Sequence, residues 1–450
     1  MAAKENTPKG MRDFLPSALA TRERVIATVK RVFESYGYAP LETPTLERLE
    51  VLTGKYGEEA DKLIFRILKR GEGAGAGEAD LGLRYDLTVP LSRVVAAHRD
   101  LPMPFKRYQI QPVWRAEKPQ KGRFREFVQC DVDVVGATSM LADAEIIAVT
   151  HETLKALDFP KYRISINNRK ILSAFIDAAG VPAKLKYPAI RAIDKRDKIG
   201  RDGVTKELAK LDLPAAAVDR LIDILFERYS RGHFSEYIEA AGQTVADVEE
   251  GRAGIAEMEA LHGYLNDFGV PAKYLSFDLH MARGLDYYTG PIFETTVPEA
   301  GIGSVTGGGR YDHLIMLLGG PDLPAVGTTI GLERIITILE ERDGANGASG
   351  YAEVMVAVYD AEHVGAAAAV AAEIRAAGIR CEIYLDAKAK LAKQFSYADA
   401  KGIPLVVTVG PDEVAKNAAA VKDLATRKQA EVPRAKLLAH LKAALNHDKR

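Results

Sequence analysis

Arginines on four separate stretches of the chain are the residues best suited to chemistry: Arg115, Arg123, Arg283 and Arg334. A guanidinium keeps its charge at neutral pH and offers planar, bidentate donors, so several that converge suit a polyphosphate. The sequence has no Walker or dinucleotide fingerprint. A nucleotide would therefore have to lie on an antiparallel sheet.

The richest stretch is residues 113–133, which reads as a hairpin with a basic loop. Residues 105–114 have the composition of a strand, and residues 118–122, Lys-Pro-Gln-Lys-Gly, are typical of a loop. After the loop, Gln129, Asp131 and Asp133 share one strand face, opposite a mostly apolar one. A polar face of this kind indicates a binding site, or else an ordinary hairpin with a solvated face.

Other candidate site residues could also be explained by a purely structural role. Asp86 and Thr88 share one side of a strand that meets a turn, and they could instead cap the following helix. The glycines at 307–309 allow positive φ and close backbone approach, or simply a tight turn. Arg334 begins a predicted helix, where the dipole disfavours a cation, so a functional use is favoured. The glycine-rich residues 71–77 lack a Gly-Lys-Ser/Thr ending, which favours a surface loop.

The elements that must position these residues form strands with a helical interruption. Helices are predicted at 20–36 and 141–157, and short strands at 38–44 and 162–166. A mostly helical region then runs to about residue 273, with a charged run at 194–198 that is typical of a solvated face. Strand patterns resume at 274–279 and 292–297, so the helical region indicates an inserted module.

The C-terminal part changes pattern after residues 340–350, which have the composition of a linker. Alternating strands and helices predict a small, largely parallel sheet flanked by helices. The predicted strands are 354–359, 381–385, 405–409 and 420–424, and the predicted helices are 364–377, 390–401 and 433–445. Any contact with RNA here would need a patch such as Lys388, Lys390 and Lys393.

Length and composition limit the classes of protein that fit. A chain of 450 residues has room for two to four domains, and 61 basic against 62 acidic residues leaves any nucleic-acid partner to local patches. Two distant cysteines, Cys130 and Cys381, form neither a metal spacing nor a disulfide framework. No segment resembles a signal peptide or a membrane span, so we expect a cytoplasmic protein without membrane contact.

Over nearly its whole length the sequence resembles the histidyl-tRNA synthetase family, class II aminoacyl-tRNA synthetases. Residues 38–44 resemble the first class II motif, residues 115–127 the second and residues 327–334 the third. Residues 283–290, Arg-Gly-Leu-Asp-Tyr-Tyr-Thr-Gly, resemble the histidine-specific signature, and residues 9–16 the family's opening segment.

The resemblance implies an α+β fold: a class II antiparallel-sheet catalytic domain with a helical insertion, followed by a C-terminal α/β anticodon-binding domain. The expected boundaries are 1–169 and 273–342 for the catalytic domain, 170–272 for the insertion, 343–351 for a linker and 352–450 for the anticodon-binding domain. The first motif implies a homodimer.

It also implies a reaction, in which histidine and ATP form histidyl-adenylate and pyrophosphate, and histidine then passes to its tRNA. By resemblance, Arg115 and Arg283 hold the α-phosphate, and Arg123 and Arg334 hold the outer phosphates with Mg²⁺. No protein metal site is expected. The implied histidine-binding residues are Asp86, Thr88 and Gln129 for the α-ammonium group, and Asp133 and Tyr288 for the imidazole, with Tyr287 and Tyr311 beside them.

Two alternatives and one departure remain. Many bacterial members are expected to carry glutamate at the positions of Asp86 and Asp133, and the shorter side chain would change the local geometry. A catalytically inactive paralogue could instead serve as the regulatory subunit of a histidine-biosynthetic enzyme, although the signature arginine and a C-terminal domain are present. A class II synthetase for another amino acid would not carry residues 283–290.

Overall fold

The computed structural model describes residues 6–55, 61–69, 77–228, 233–279, 281–282, 287–343 and 351–447. The chain forms two compact units. The first comprises Met1–Arg12 with Arg24–Ile338, and the second comprises Asp13–Glu23 with Leu339–Arg450. No helix among the described residues is long and apolar enough to cross a membrane.

The described part of the first unit contains an eight-stranded sheet in the order β1-β5-β6-β11-β10-β9-β7-β8. Its pairings are antiparallel except at the two ends, where β1 pairs with β5 and β7 with β8 in parallel. Three further strands form a small sheet in the order β2-β4-β3. The strands are β1 Ala39–Pro40, β2 Leu46–Arg48, β3 Arg66–Leu68, β4 Ala79–Leu83, β5 Phe105–Trp114, β6 Glu126–Val135, β7 Arg163–Asn168, β8 Leu275–Phe277, β9 Pro291–Thr296, β10 Thr306–Arg310 and β11 Ala325–Gly331.

The predicted hairpin is confirmed as β5 and β6, and of the two alternatives for its polar face the solvated one is excluded. Arg107 pairs across the ladder with Asp133, and Gln109 with Asp131. All four residues are buried, while Cys130, on the opposite face of β6, is buried among apolar residues. The sheet therefore carries a buried polar layer on one face, which is costly unless its groups find partners.

Up to residue 343 the helices follow the predicted pattern within a few residues. The helix Pro16–Ser35 is followed two residues later by Gly37, which has φ +77°. The helix Met140–Ala156 begins after Ser139, whose side-chain oxygen accepts a hydrogen bond from the backbone N of Leu141. The other helices up to residue 343 are Leu49–Leu52, Thr88–Ala97, Arg169–Ala178, Lys186–Asp194, Arg196–Ala209, Ala215–Ile222, Phe234–Val245, Glu249–Asp267 and Leu332–Asp343.

The predicted helical region after β7 is confirmed. Its helices between residues 169 and 222 share an apolar core with Leu172, Ile193 and Leu221 at its centre. In the charged run, Lys195 is exposed and pairs with Glu207. The run therefore forms a solvated face, as its composition predicts.

The second unit contains a five-stranded sheet, in the described residues, with the order β13-β12-β14-β15-β16. The prediction of a largely parallel sheet is only half right, because the last two pairings are antiparallel. The sequence reading missed β16, whose residues Gln-Ala-Glu-Val-Pro are mostly exposed and lack apolar alternation. The strands are β12 Val354–Val358, β13 Cys381–Ile383, β14 Leu405–Val409, β15 Ala418–Asp423 and β16 Gln429–Pro433.

Helices cover the sheet of the second unit. Val354, Val356 and Val358 of β12 pack in one core with Leu437 and Leu441 of the last helix. Lys388, Lys390 and Lys393 are exposed. The helices are Val364–Ala376, Leu391–Ala400, Pro411–Ala415 and Arg434–His447.

The glycines at 307–309 do not form the tight turn considered above, because they lie within β10, in the middle of the sheet. A side chain at Gly308 would overlap the Gly327 carbonyl oxygen and lie 2.7 Å from a Phe293 ring carbon, whereas one at Gly307 would meet nothing within 4 Å. Close backbone approach, rather than positive φ, explains the glycine at 308.

Replacing Gly308 with alanine should therefore lower the free energy of unfolding by ~1–3 kcal/mol, the usual cost of overpacking a core. Urea denaturation followed by circular dichroism measures this loss. Gly307→Ala, one residue away on the same strand, is the matched control and should unfold at nearly the wild-type midpoint. Equal midpoints for both variants would contradict the packing argument.

Candidate active site

Two adjoining cavities lie on the polar face of the large sheet, and together they contain the predicted site residues that the structure describes. The first, here called the aspartate cavity, has a volume of about 250 Å³ and is lined by Asp86, Asp131 and Asp133 among others. The second, the arginine cavity, has a volume of about 240 Å³ and is lined by Arg115, Arg123 and Arg334 among others. Both are lined by Arg115, Gln129, Glu294, Gly307 and Thr329.

The structure distributes the predicted residues between the cavities as follows. Arg115 and Gln129 line both cavities, and Arg123 and Arg334 line only the arginine cavity. Arg283 lies outside the described residues. The remaining predicted residues line the aspartate cavity: Asp86, Thr88, Asp133, Tyr287, Tyr288 and Tyr311.

Asp86 is a helix cap and a cavity residue at once. Its Oδ1 accepts a hydrogen bond from the backbone N of Val89, 3.1 Å away, in the first turn of the helix that begins at Thr88. Its Oδ2 lies 3.5 Å from the Tyr287 hydroxyl, which donates to it. The capping role considered from the sequence is therefore correct for Asp86, and it fixes the carboxylate at the wall of the cavity.

Asp133 is held at the floor of the aspartate cavity by a hydrogen bond and an ion pair from neighbouring elements. The Tyr311 hydroxyl donates to Oδ1 over 2.6 Å, and Oδ2 lies 2.9 Å from Arg107 Nη2. Burial raises the pKa of Asp133, and the charge of Arg107 and the Tyr311 hydrogen bond oppose that rise. The carboxylate is thus oriented before any ligand arrives.

Asp131 is the least compensated carboxylate of the cavity floor. Its Oδ2 is 4.0 Å from Arg107 Nη2, and its Oδ1 has no hydrogen-bond partner among the described residues. Burial, with the charge of Asp133 adding to it, raises the pKa of Asp131 to about 7, although Arg107 and a hydrogen bond from Thr329 act against the rise. A buried acceptor of this kind favours a ligand that donates.

Gln129 connects the two cavities through an amide whose two ends differ. Its Nε2 donates to Thr329 Oγ1 over 3.2 Å, while its buried Oε1 has no partner among the described residues. The amide oxygen can therefore accept a hydrogen bond from a cationic ligand group.

Three tyrosines form the aromatic wall of the aspartate cavity. The ring of Tyr287 lies 5.0 Å from that of Tyr288 and 5.8 Å from that of Tyr311. Burial first, and then the charges of the neighbouring aspartates, raise the pKa of Tyr288. Its hydroxyl therefore keeps its proton at neutral pH.

Glycines keep the cavity open by withholding side chains. A Cβ at Gly327 would overlap Asp133 Oδ1, its cross-strand partner. A Cβ at Gly309 would lie 2.9 Å from the Tyr288 ring. Larger residues at either position would displace the groups that line the cavity.

The arginine cavity is surrounded by guanidinium groups fixed in different ways. Arg115 donates from Nε to the Tyr85 carbonyl over 3.1 Å, and its guanidinium lies over the Tyr85 ring at 4.3 Å. Arg123 Nη1 is 2.9 Å from Glu117 Oε2, and Arg334 donates to the Ser304 carbonyl. Glu117, Glu294 and Glu333 line the same cavity, so the three cations are matched in number by carboxylates. What the three arginines offer a polyphosphate is planar, charge-assisted N–H donors from different elements.

Arg334 is a partly buried cation. Burial lowers its pKa, and the charges of Arg123 and Arg115 lower it further. A guanidinium that like charges destabilise gains most when an anion binds beside it.

The N-terminal segment holds the loop of the hairpin. The Gly10 carbonyl accepts from the backbone N of Arg125 over 2.8 Å. Arg12 forms an ion pair with Glu333, and its guanidinium lies 3.3 Å from the centre of the Phe124 ring. Phe124 and Glu333 both line the arginine cavity, so this segment supports its wall.

Several cavity residues have no signal in the local sequence, because their place depends on pairing between strands. Thr329 lies opposite Asp131 in the β6–β11 ladder, and neither residue's part in the cavity follows from its own segment. Arg107 was missed because it lies one strand away, on β5. A basic residue within an otherwise strand-like segment was the available signal. Among the described residues, no cluster of His, Cys, Asp and Glu could hold a metal ion by itself.

The chain matches two family models that together cover most of its length. Residues 10–335 match the model of histidyl-tRNA synthetase, and residues 353–444 match that of an anticodon binding domain. A histidine–tRNA ligase of Gloeobacter violaceus is 42% identical over 452 residues, which cover 95% of this chain and 96% of that protein.

Solved structures agree with this match. The crystal structure of histidyl-tRNA synthetase from Nostoc sp. PCC 7120 superimposes with a TM-score of 0.86 at 34% identity, covering 98% of this chain and all of that one. A Bacillus halodurans structure described as an ATP phosphoribosyltransferase regulatory subunit/histidyl-tRNA synthetase has a TM-score of 0.75 at 24% identity, covering 91% of this chain and 99% of that one. At that identity the second likeness concerns the fold alone.

The fold and the family matches define an aminoacyl-tRNA synthetase of class II, with an antiparallel catalytic sheet and a separate anticodon-binding domain. The chain belongs to the histidyl-tRNA synthetase family. Its reaction is the ATP-dependent ligation of histidine to tRNA, through histidyl-adenylate.

The burial of Asp131 predicts a dependence of stability on pH. Its pKa is higher in the folded than in the unfolded chain, so its contribution to stability is complete below about pH 4 and is lost as the pH rises towards 7. Asp131→Asn should therefore raise the free energy of unfolding, relative to wild type, by roughly 1–3 kcal/mol more at pH 8 than at pH 5.

Urea unfolding at the two pH values measures that difference. Asp100→Asn is the control, because it removes an exposed carboxylate and should show no such dependence. A difference that is the same at pH 5 and pH 8 would contradict the buried-charge argument.

Proposed function

We propose that the aspartate cavity binds histidine and that the arginine cavity binds ATP, so that the two substrates meet at Arg115. The observation that carries this proposal is that Arg115 and Gln129 line both cavities. A group shared by two adjoining cavities can contact the histidine carboxylate and the α-phosphate together. That arrangement supplies the proximity that the first step needs.

In this step a carboxylate oxygen of histidine attacks the α-phosphorus, the bond to the β-phosphate oxygen breaks, and pyrophosphate leaves. The step moves no proton, so its main requirements are in-line placement and neutralisation of charge. Arg115 serves from the side where the cavities join. Arg283 is proposed to serve from the other side, because residues on both flanks of it, Met281 and Tyr287, line the aspartate cavity.

The outer phosphates are assigned to Arg123 and Arg334, supported by their position in the arginine cavity. Mg²⁺ commonly binds one or two carboxylates together with substrate phosphates. Glu117 and Glu294 line this cavity, and their oxygens suit such an ion, which would neutralise phosphate charge when bound.

Excess EDTA should then abolish ATP–pyrophosphate exchange, and added Mg²⁺ should restore it.

Recognition of histidine is divided between the two ends of the amino acid. Asp86, Thr88 and Gln129 are assigned to the α-ammonium group, supported by the unpartnered Gln129 Oε1. Asp133 and Tyr288 are assigned to the imidazole. Tyr287 and Tyr311 lie beside them, and Tyr311 acts by orienting Asp133 through its 2.6 Å hydrogen bond. Polar partners reject an analogue that lacks a ring nitrogen, because they would be left unpaired.

The tRNA is proposed to contact both units. The basic hairpin loop at 118–121 is assigned to the acceptor end, and the exposed lysines Lys388, Lys390 and Lys393 to the anticodon region. We propose the domain division 1–169 and 273–342 for catalysis, 170–272 for the insertion, 343–351 for the linker and 352–450 for the anticodon-binding domain.

We also propose that the chain acts as a homodimer in the cytoplasm. The resemblance of residues 38–44 to the first class II motif supports a dimer, and two free cysteines suit a reducing compartment.

Sedimentation equilibrium should give about twice the chain mass of 49.0 kDa, and cell fractionation should recover the chain with cytoplasmic markers. A monomer mass, or recovery in another compartment, would contradict the respective proposal.

Arg115→Ala and Arg283→Ala should each lower kcat/KM for histidine-dependent ATP–pyrophosphate exchange by ~10²–10³-fold, the usual effect of losing one preorganised donor. Arg99→Ala is the matched control, since Arg99 is an exposed arginine that donates to the Gly319 carbonyl, and it should keep wild-type activity. Circular dichroism verifies that each variant folds. Unchanged exchange in folded Arg115→Ala would refute the placement of the reaction.

The rival function, an inactive regulatory paralogue, is tested by the same assay. The likeness that could support it is limited to the fold, at 24% identity. Wild-type exchange with histidine, and with no other amino acid, would exclude both that rival and a synthetase of different specificity.

A further inference from the structure

Asp131 is a buried carboxylate in the aspartate cavity to which no role has yet been given. It is 3% exposed, and its Oδ1 has no hydrogen-bond partner among the described residues. Arg107 lies closer to Asp133, at 2.9 Å, than to Asp131, at 4.0 Å. The guanidinium charge therefore acts chiefly on Asp133. Asp131 Oδ1 and Asp133 Oδ2 both lack a hydrogen-bond donor among the described residues, and both residues line the cavity.

The charges around the cavity do not balance. Among the described residues four carboxylates line it. The guanidinium groups available are those of Arg115, which lines it, of Arg107, which lies 2.9 Å from Asp133, and of Arg283 as proposed above, while Tyr288 and Tyr311 keep their protons. Histidine brings an ammonium and a carboxylate that cancel, so a neutral ring would leave the deficit unchanged. The four carboxylates belong to Asp86, Asp131, Asp133 and Glu294.

The spacing of two of these carboxylates suits the two nitrogens of one ring. Asp131 and Asp133 are alternate residues of β6 and point to the same side, so their attachment points are about 6–7 Å apart. A five-membered ring with an N–H···O bond at each nitrogen spans roughly that distance. A neutral imidazole donates from only one nitrogen, whereas the imidazolium ion donates from both.

We propose that Asp131 is a second imidazole-binding residue, and that the cavity takes histidine with a protonated ring that donates to Asp131 and Asp133 together, so that Tyr288 contacts the ring without a hydrogen bond to either nitrogen. This inference rests on the proposed function, since it requires histidine in the aspartate cavity. The Thr329 hydroxyl, which hydrogen-bonds Asp131, and Tyr311, which donates to Asp133, orient the two acceptors. Specificity then comes from a cationic ring, which glutamine, asparagine and neutral heteroaromatic side chains cannot supply.

The protonation state of the ring can be read directly. Histidine labelled with ¹⁵N in the ring, bound to the wild-type chain at pH 8, should give two nitrogen shifts of the imidazolium type, although free histidine is neutral at that pH. Shifts of a neutral ring, with one protonated and one bare nitrogen, would overturn the inference without any variant.

Calorimetry provides the second test. In two buffers of different ionisation enthalpy at pH 8, the wild-type chain should take up close to one proton for each histidine bound, and Asp131→Asn should take up almost none. The variant should also bind histidine more than tenfold more weakly. Asp100→Asn should behave as wild type, and undiminished proton uptake by Asp131→Asn would overturn the inference.

Triazolylalanine, whose ring resists protonation, tests specificity for the cation. It should bind the wild-type chain at least tenfold more weakly than histidine, and Asp131→Asn should discriminate between the two much less. Equal discrimination by both proteins would count against Asp131.

Failure of this inference and failure of the proposed function are distinguishable. If Asp86→Asn and Asp133→Asn weaken histidine binding but Asp131→Asn does not, only the role of Asp131 falls. If all three folded variants bind histidine like the wild type, histidine does not occupy the aspartate cavity and the proposed function falls as well.

Discussion

The guanidinium of Arg107, fully buried within the sheet, links most of the groups on which the aspartate cavity depends. It lies 2.9 Å from Asp133, and it donates to Gln109 Oε1 over 3.3 Å and to the Leu87 carbonyl over 3.2 Å. Leu87 stands between Asp86 and Thr88, so one side chain ties the cavity floor to its wall. Removing one partner of such a buried pair commonly costs ~3–5 kcal/mol.

A second buried arginine repeats this arrangement nearby. Arg84 donates to the carbonyls of Thr43 and Pro112, and to Gln111 Oε1, at 2.7–2.9 Å. Residues 84–87 belong to no strand and come just before the helix that begins at Thr88. The two arginines attach this segment to β5. The cavity wall is therefore positioned by side chains, and its groups are held in place at the expense of burying charge.

The sequence predicted most local elements of the fold, because periodicity and turn residues are local signals. The hairpin β5–β6, the helix after Ser139 and the first four strands of the second unit were all expected, and β16 was missed because it is short and exposed. For the site, the residue types that favour phosphate and ammonium groups could be identified along the chain. Their division into two cavities could not, since it depends on which strand lies beside which.

Arg107 and Asp131 show that limit most clearly. Both can be recognised in the sequence as charged residues in strand-like segments. Their part in the cavity depends on strand pairing, which sets Arg107 opposite Asp133, and Asp131 opposite Gln109 and Thr329. The glycines at 307–309 carried an ambiguous signal for a similar reason. Whether glycine supplies a turn or allows a close approach is decided by the neighbouring strand, which the local sequence does not contain.

The contact between Gly327 and Asp133 has a consequence for how this site can change by mutation. The two residues are cross-strand partners, and a β-carbon at 327 would occupy the space of the Asp133 carboxylate. The residue that can be tolerated at 327 therefore depends on the side chain at 133, so substitutions at the two positions are epistatic.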